Sequence, residues 1–293
     1  MSELMVERDN WAEWLLETRF GGDPSARRAG LNWLAGVRDR VLDGAAIKDG
    51  DVLLDVGAGE GLIAFAALDR VGRSGGVVFS DISSDLLNHA ADLLARGGGD
   101  VRCSFVQADA QGLEAIDDST VDVLTTRSVL LYLRDKQRAA NAFWRVLRPG
   151  GRASLYEPIN KVNADARRPG VFRGYALPGN PELADRLTEF FYAPIGTMID
   201  FDERDLIAMF ERAGFREIRA ELEIRVRRQE SKRWDVYLNS SPNPLVPTLG
   251  DALDRLFTPP ERCAFEDELR PKVEAGDGFT HEADLFLRAV KPE

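Results

Sequence analysis

Apolar residues in the first half of the chain fall into short blocks separated by longer stretches of mixed character. Val52–Val56, Gly76–Ser80, Val101–Gln107, Val121–Thr125 and Gly151–Tyr156 are short, rich in Val, Leu and Phe, and read as strands. Between them, Leu62–Val71, Asp85–Arg96 and Lys136–Leu147 repeat apolar positions at helical spacing, and a shorter helix is expected near Asp109–Ile116. Such alternation predicts a parallel sheet with right-handed crossovers and helices on both faces. Farther along, Asp202–Ala213 gathers Leu206, Ile207, Met209 and Phe210 on one helical face and stops at Gly214. Next, Ile218, Ala220, Leu222, Ile224 and Val226 alternate with Glu217, Arg219, Glu221, Glu223, Arg225 and Arg227, the pattern of a half-buried strand at a sheet edge. Asp284–Val290 supplies a last short strand.

This pattern divides the chain into a core of residues 46–158, 202–228 and 283–293 and three excursions, residues 1–45, 159–201 and 229–282. The excursion after Tyr156 leaves the carboxyl end of a parallel strand. If the last strand runs antiparallel, the other excursions meet the sheet at that same end, so helical lids are expected there. Phe172, Tyr175, Phe190, Phe191 and Tyr192 lie in one insertion and Trp234, Tyr237, Phe257, Phe265 and Phe279 in the other; an aromatic cover suits a small organic ligand. Helix Pro181–Tyr192, with Asn180 as its cap, is expected to bury Leu183, Leu187 and Phe191.

Composition narrows the class. The 293 residues are 44% hydrophobic and 30% charged, and a net charge of -11 argues against a polyanionic nucleic acid partner. Arg225–Arg233 is the one locally basic stretch, and it includes Glu230. No secretory leader and no apolar run of bilayer length is visible, so a cytoplasmic protein with no membrane partner is expected. Cys103 and Cys263 read as packing residues, and no metal site is indicated.

The candidate chemistry sits at Leu53–Gly61, LLDVGAGEG, where a buried strand runs into Gly57, Gly59 and Gly61 and then a helix. Glycines there keep side chains off the backbone, and a ligand lies at the carboxyl end of the strand. Dinucleotide folds use a related turn with an acid about 20 residues on. Asp81 takes that position here, so these two motifs fit NAD and S-adenosylmethionine alike. Asp55, just ahead of the glycines, suits a cationic amino-acid end better than a pyrophosphate. Asp109, ending the third strand, is placed to meet an adenine amine.

Together DVGAGEG, SDIS at Ser80–Ser83, QADA at Gln107–Ala110, SVLLYL at Ser128–Leu133 and RVLRPGGRASLYEP at Arg145–Pro158 resemble the class I S-adenosylmethionine-dependent methyltransferases, small-molecule type. The resemblance implies an α/β, doubly wound, mostly parallel seven-stranded sheet with the last strand antiparallel. It also implies S-adenosyl-L-methionine as cofactor and S-adenosyl-L-homocysteine as product. Asp55 would hold the cofactor's amino group and Asp81 the ribose hydroxyls. Ile82 would pack on the adenine face, and Asp109 with the Ala110 N–H would read its edge. The backbone at Gly57, Gly59 and Gly61 would run along the methionine portion, and Arg127 would help close the site.

Methyl transfer by in-line displacement needs a base only when the acceptor arrives protonated. Glu157, His281 and Tyr132 are the candidates. Tyr156, Asn160, Tyr175 and Tyr237 are the candidate acceptor contacts. The DNA-amine signature, Asp or Asn before Pro-Pro-aromatic, is absent, since the corresponding strand end reads Arg127-Ser128-Val129-Leu130. The expectation is methylation of a small organic acceptor in specialised metabolism. A nicotinamide-dependent oxidoreductase and a non-catalytic S-adenosylmethionine-binding regulator are the alternatives, and the oligomeric state stays open.

Overall fold

A computed structural model describes residues 8–97 and 100–293; the first seven residues of the expected N-terminal lid segment lie outside this range. Nine strands and twelve α-helices are present among the described residues. A short helix α1 (Asn10–Glu13) runs into a π-helical turn, Trp14–Thr18, and is followed by α2 (Pro24–Gly44). The core then alternates β1 (Val52–Val56), α3 (Leu62–Val71), β2 (Gly76–Asp81), α4 (Ser84–Gly97), β3 (Arg102–Gln107), β4 (Val121–Arg127), α5 (Lys136–Val146) and β5 (Leu147–Pro158). The first insertion carries α6 (Lys161–Asp165), the hairpin β6 (Val171–Phe172) and β7 (Tyr175–Ala176), α7 (Pro181–Tyr192) and α8 (Gly196–Ile199). After α9 (Glu203–Ala213) and β8 (Arg216–Arg228), the second holds α10 (Trp234–Asn239), α11 (Leu249–Leu256) and α12 (Pro259–Ala275) before β9 (Phe279–Val290).

The main sheet has seven strands in the order β3-β2-β1-β4-β5-β9-β8. Strands β1 to β5 pair in parallel, and β9 runs antiparallel between β5 and β8. One face packs on α5 and α9 through Leu124, Phe143, Leu155, Phe210 and Leu285. The other packs on α2, α3 and α4 through Val41, Leu53, Ile63, Phe79 and Leu87. This is the sheet that the strand–helix alternation and the motif series imply.

Three local expectations fail for identifiable reasons. Asp109–Ile116 is a run of turns rather than a helix, with Leu113 at φ 49°. The Arg145 guanidinium, reaching over from α5, donates to the carbonyls of Gly112, Leu113 and Ile116 at 3.1, 2.8 and 2.9 Å, so side-chain donors replace those of a helix. The apolar side of β8 is covered only near its start: Ile224 and Val226 remain 54% and 61% exposed beyond the helices that would cover them. Cys263 is exposed on α12 rather than packed.

The two insertions share an apolar core distinct from those of the sheet. Phe172, Tyr175, Leu187 and Phe191 from the first meet Trp234, Tyr237, Leu253, Phe257 and Phe265 from the second. On α7, Ala184, Leu187 and Phe191 are buried and Leu183 packs at the margin, while Asn180 turns its amide to Ala264 and Glu268 instead of capping the helix. Among the described residues no helix is long and apolar enough to cross a membrane.

Candidate active site

The glycine turn is built by the strand tips beneath it. Gly57 and Ala58 both donate to the Ser80 carbonyl, at 2.8 and 2.9 Å, which ties the end of β1 to β2. Gly57, Gly59 and Gly61 all have positive φ (69°, 56° and 88°), a conformation that other residues adopt only at a cost. Their surroundings differ. A Cβ on Gly57 would strike Val129 and one on Gly61 would strike Phe65, so these two glycines are required by the protein's own packing. Only Gly59 faces outward, where Leu15 of the N-terminal helical segment stands 3.1 Å from its would-be Cβ.

Asp81 clamps this turn. One carboxylate oxygen accepts from Gly59 N–H at 2.8 Å and the other from Ser83 N–H at 2.9 Å. Burial raises its pKa above the usual carboxylate range against the pull of those donors. Asp55 lies deeper, 2% exposed, accepting from Thr125 Oγ1 at 2.8 Å and Ala64 N–H at 3.2 Å. Burial pushes its carboxyl up to about 7, opposed by those two bonds and by the Arg127 guanidinium. Ile82 is 53% exposed beside them, an apolar side chain left uncovered next to the cradle. Asp109 accepts from Gln111 N–H at 2.8 Å and Ala110 is buried. These residues stand together at the carboxyl ends of β1, β2 and β3.

A cationic, diol-bearing ligand is what this set suits. Two carboxylates are held by backbone donors and the Thr125 hydroxyl, the turn between them presents Gly59 outward, and an open apolar surface adjoins it. Two hydroxyls at the tips flanking Val56, Ser80 Oγ and Thr126 Oγ1, are sealed without a partner. The N-terminal segment roofs the cradle: Asp9 accepts from Ser83 Oγ at 2.6 Å, and Trp11 meets Tyr132 edge-on at 4.8 Å between ring centres. Arg27 pairs with Glu60 in the glycine turn at 2.8 Å.

A cavity of about 710 Å³ opens beside this end of the sheet. Its wall takes Arg127, Ser128, Leu131 and Tyr132 from the loop after β4, Trp14 and Arg19 from the N-terminal segment, and His281 from β9. Both insertions contribute too, among them Asn160, Tyr192, Lys232 and Tyr237. Asp55, the three glycines, Asp81, Ile82, Asp109 and Ala110 do not line it; of the expected cofactor residues, Arg127 alone reaches its wall.

The candidate acceptor residues divide. Tyr132, His281, Asn160 and Tyr237 line the cavity. Glu157 does not, and the expectation that it acts as base fails on geometry. It is fully buried, with one oxygen accepting from Val129 and Leu130 N–H at 2.8 and 2.9 Å and the other from Leu131 N–H at 3.3 Å. Burial pushes it up to about 7 despite these donors. Glu157 therefore shapes the loop after β4, where Ser128 is held at φ 55°. Tyr156 faces the other side of the sheet, packed on Phe286 with its hydroxyl donating to Asp284 at 2.5 Å. Tyr175 is wholly enclosed in the core of the insertions.

Of the ten aromatic residues marked in the insertions, seven belong to that internal core. The residues that sequence reasoning missed are cationic: Arg19, Arg167, Arg168, Arg173 and Lys232 all line the cavity. Arg173-Gly174 between two short apolar pairs carries the signal of a two-residue hairpin turn, and it would have located one of them.

Sheet order, glycine cradle and paired carboxylates together define an S-adenosylmethionine-dependent methyltransferase. Residues 33–223 match the ubiE/COQ5 methyltransferase family, and the chain belongs to that family. A curated relative, the ubiquinone/menaquinone biosynthesis C-methyltransferase UbiE of Idiomarina loihiensis, is 32% identical over 184 residues, 61% of this chain and 71% of the relative. Among solved structures, a protein of Bacillus halodurans C-125 assigned as a methyltransferase is similar at a TM-score of 0.53 and 17% identity, covering 87% of this chain and 99% of that one. The phosphoethanolamine N-methyltransferase 2 of Haemonchus contortus in complex with S-adenosyl-L-methionine gives 0.51 and 17%, covering 97% and 56%. The cofactor is S-adenosylmethionine, and the nicotinamide alternative falls with the family assignment.

Proposed function

We propose that the protein methylates a small organic acceptor held in the 710 Å³ cavity between the loop after β4 and the helical cover. The adjacency of that cavity to the cradle carries the reading, since it brings a ligand-sized space against the carboxyl ends of the strands. The cofactor supplies a methyl group already activated by its sulfonium. In this reading Asp81 accepts from the ribose hydroxyls, Asp55 holds the amino end, Ile82 covers the adenine, and Asp109 with the Ala110 N–H meets its edge. Arg127 and Arg19 offer positive charge to the methionine carboxylate. Arg19 is pushed down to about 10 by burial and by Arg127, as expected of two cations waiting for an anion.

Within the cavity, His281 has the freedom that Glu157 lacks. Its imidazole makes no hydrogen bond to another described residue and faces the acceptor space from β9. It takes the proton when the acceptor arrives as an O–H or N–H acid. Tyr132, raised well above the ordinary phenol by burial, stays neutral and positions the acceptor by donating a hydrogen bond. Roofing by the N-terminal segment and the insertions keeps water from the line of transfer. These excursions act as lids.

The relatives' name supports carbon methylation of a quinone-type ring as one member of this acceptor class. It lends no support to specialised metabolism. Incubating the protein with S-adenosylmethionine and a panel of phenols, amines, carbon acids and quinols, with mass spectrometry of the products, tests the reading. Gain of one methyl by any of them supports it. Binding of S-adenosylhomocysteine without turnover of any panel member would favour a non-catalytic cofactor-binding protein.

A further inference from the structure

The charge of the cavity opposes that of the chain. Although the protein carries a net charge of -11, the cavity wall holds six cations, Arg19, Arg127, Arg167, Arg168, Arg173 and Lys232, and no acidic side chain among the described residues. None of the six forms an ion pair with a described carboxylate. Their side-chain hydrogen bonds go only to Ser128 Oγ and to the carbonyls of Ala164 and Arg167. Four of the six stand on the insertions, away from the cradle.

Arg173 is the most constrained of these four. It forms, with Gly174, the turn between β6 and β7, and both residues have positive φ, 47° and 85°. Arginine occupies the left-handed region here at a steric cost that glycine or asparagine would avoid. The turn is pressed against β9 so closely that a Cβ on Gly174 would stand 1.8 Å from the Phe279 carbonyl oxygen. Gln229 Nε2 donates to the Arg173 carbonyl at 2.5 Å. The guanidinium lies over Phe191 at 4.3 Å, and its Nη2 is sealed without a partner.

Its neighbours are also incomplete. The buried Tyr237 hydroxyl lies against the Arg173 guanidinium, and neither group completes a well-formed hydrogen bond. Lys232, exposed on the cavity wall, sits below the usual lysine range through partial desolvation there and the proximity of Arg173. Strained backbone, a guanidinium without a carboxylate and a phenol without a well-formed hydrogen bond at one spot all lower stability. A single anion would partner all three groups, through charge-assisted bonds to the guanidinium and ammonium and one from the phenol.

We propose that Arg173, Lys232 and Tyr237 bind an anionic group on the methyl acceptor, a carboxylate or a phosphate, on the side of the cavity formed by the insertions. The acceptor is then an organic acid or phosphomonoester, and a quinone-type ring belongs to this class only where it carries such a group. This inference rests on the methyl-transfer reading and names the substrate class for the same site.

Calorimetric titration of the S-adenosylhomocysteine-loaded protein with phenol, benzoate and phenyl phosphate tests it, because the probes share one ring and differ in charge. Benzoate or phenyl phosphate should bind at least about tenfold tighter than phenol and weaken with added salt. The tighter of the two identifies the group. Arg173→Met and Lys232→Met should each cut that affinity about tenfold, leave S-adenosylhomocysteine affinity unchanged and raise Tm without ligand, and Arg173→Lys should restore part of the binding. Equal binding of phenol and both anions, or full anion affinity in the Met variants, with normal S-adenosylhomocysteine binding, would overturn the proposal and leave methyl transfer standing. Loss of S-adenosylhomocysteine binding in the unaltered protein would remove both.

Discussion

The strand tips and the helical cover solve opposite problems. At the tips, two acidic side chains are buried and fully engaged: Asp81 accepts from the Gly59 and Ser83 N–H groups, and Asp55 from Ala64 N–H and the Thr125 hydroxyl. In the cover, aromatic side chains and cations face the cavity together, and the cations lack carboxylate partners, Arg173 foremost. One region is preorganised for a ligand of fixed shape, with geometry set by strand register. The other is held together by its own aromatic core and leaves charge exposed to the cavity. A fold that must accept one constant cofactor and one variable acceptor separates the two tasks in this way.

That contrast breaks first if Glu157 is catalytic rather than structural. Glu157→Ala removes the acceptor for three backbone N–H groups, so unfolding in urea should show a loss of about 3 kcal/mol. Glu157→Gln keeps an acceptor oxygen and should lose about half of that while turning over with an unchanged pH profile. A fully stable but inactive Glu157→Gln would restore Glu157 as the base.

The acidic character of the tips is sharpened by pH. Asp55, pushed up to about 7, holds its proton more tightly folded than unfolded, where 3.8 applies. Its contribution to stability is therefore full below about 4 and is lost as pH rises through 7. A cationic ligand favours the ionised form, so S-adenosylmethionine should bind about tenfold more weakly at pH 6 than at pH 8. Asp55→Asn should flatten that dependence, and a wild-type affinity independent of pH would show that Asp55 does not meet the cofactor.

A smaller effect checks the cover. The Tyr175 hydroxyl is buried without a partner, so Tyr175→Phe should stabilise the protein by about 1 kcal/mol in thermal unfolding. A loss of stability of that size would mean the hydroxyl has a partner and the cover is better satisfied than its geometry indicates.

How much of this the sequence disclosed follows the same division. Backbone-defined features were legible: Leu62–Val71 is a helix with the bounds its period indicated, and the acids flanking the glycines stand together at the strand tips. Features that depend on side chains crossing long separations were not. Nothing local to Asp109–Ile116 announces that Arg145 will satisfy its carbonyls. Glu157 reads as a strand-end acid until three N–H groups of a loop 26 to 28 residues earlier close on it. The aromatic residues of the insertions suggested an aromatic cover, and Phe172, Phe191, Tyr192, Tyr237 and Phe279 do reach the cavity wall, but the cations that stand among them were not anticipated. Alternation in β8 gave the strand but not its exposure, because burial of an edge depends on what else reaches it.

Titration of S-adenosylhomocysteine into the wild-type protein and into Asp81→Ala, followed by calorimetry, bears on every role assigned to the strand tips. The wild type should bind with one-to-one stoichiometry, and Asp81→Ala, which loses both the clamp on Gly59 and the acceptor for the sugar, should bind about a hundredfold more weakly. Equal affinity in the two proteins, or no binding by the wild type, would contradict the placement of the cofactor on these strands.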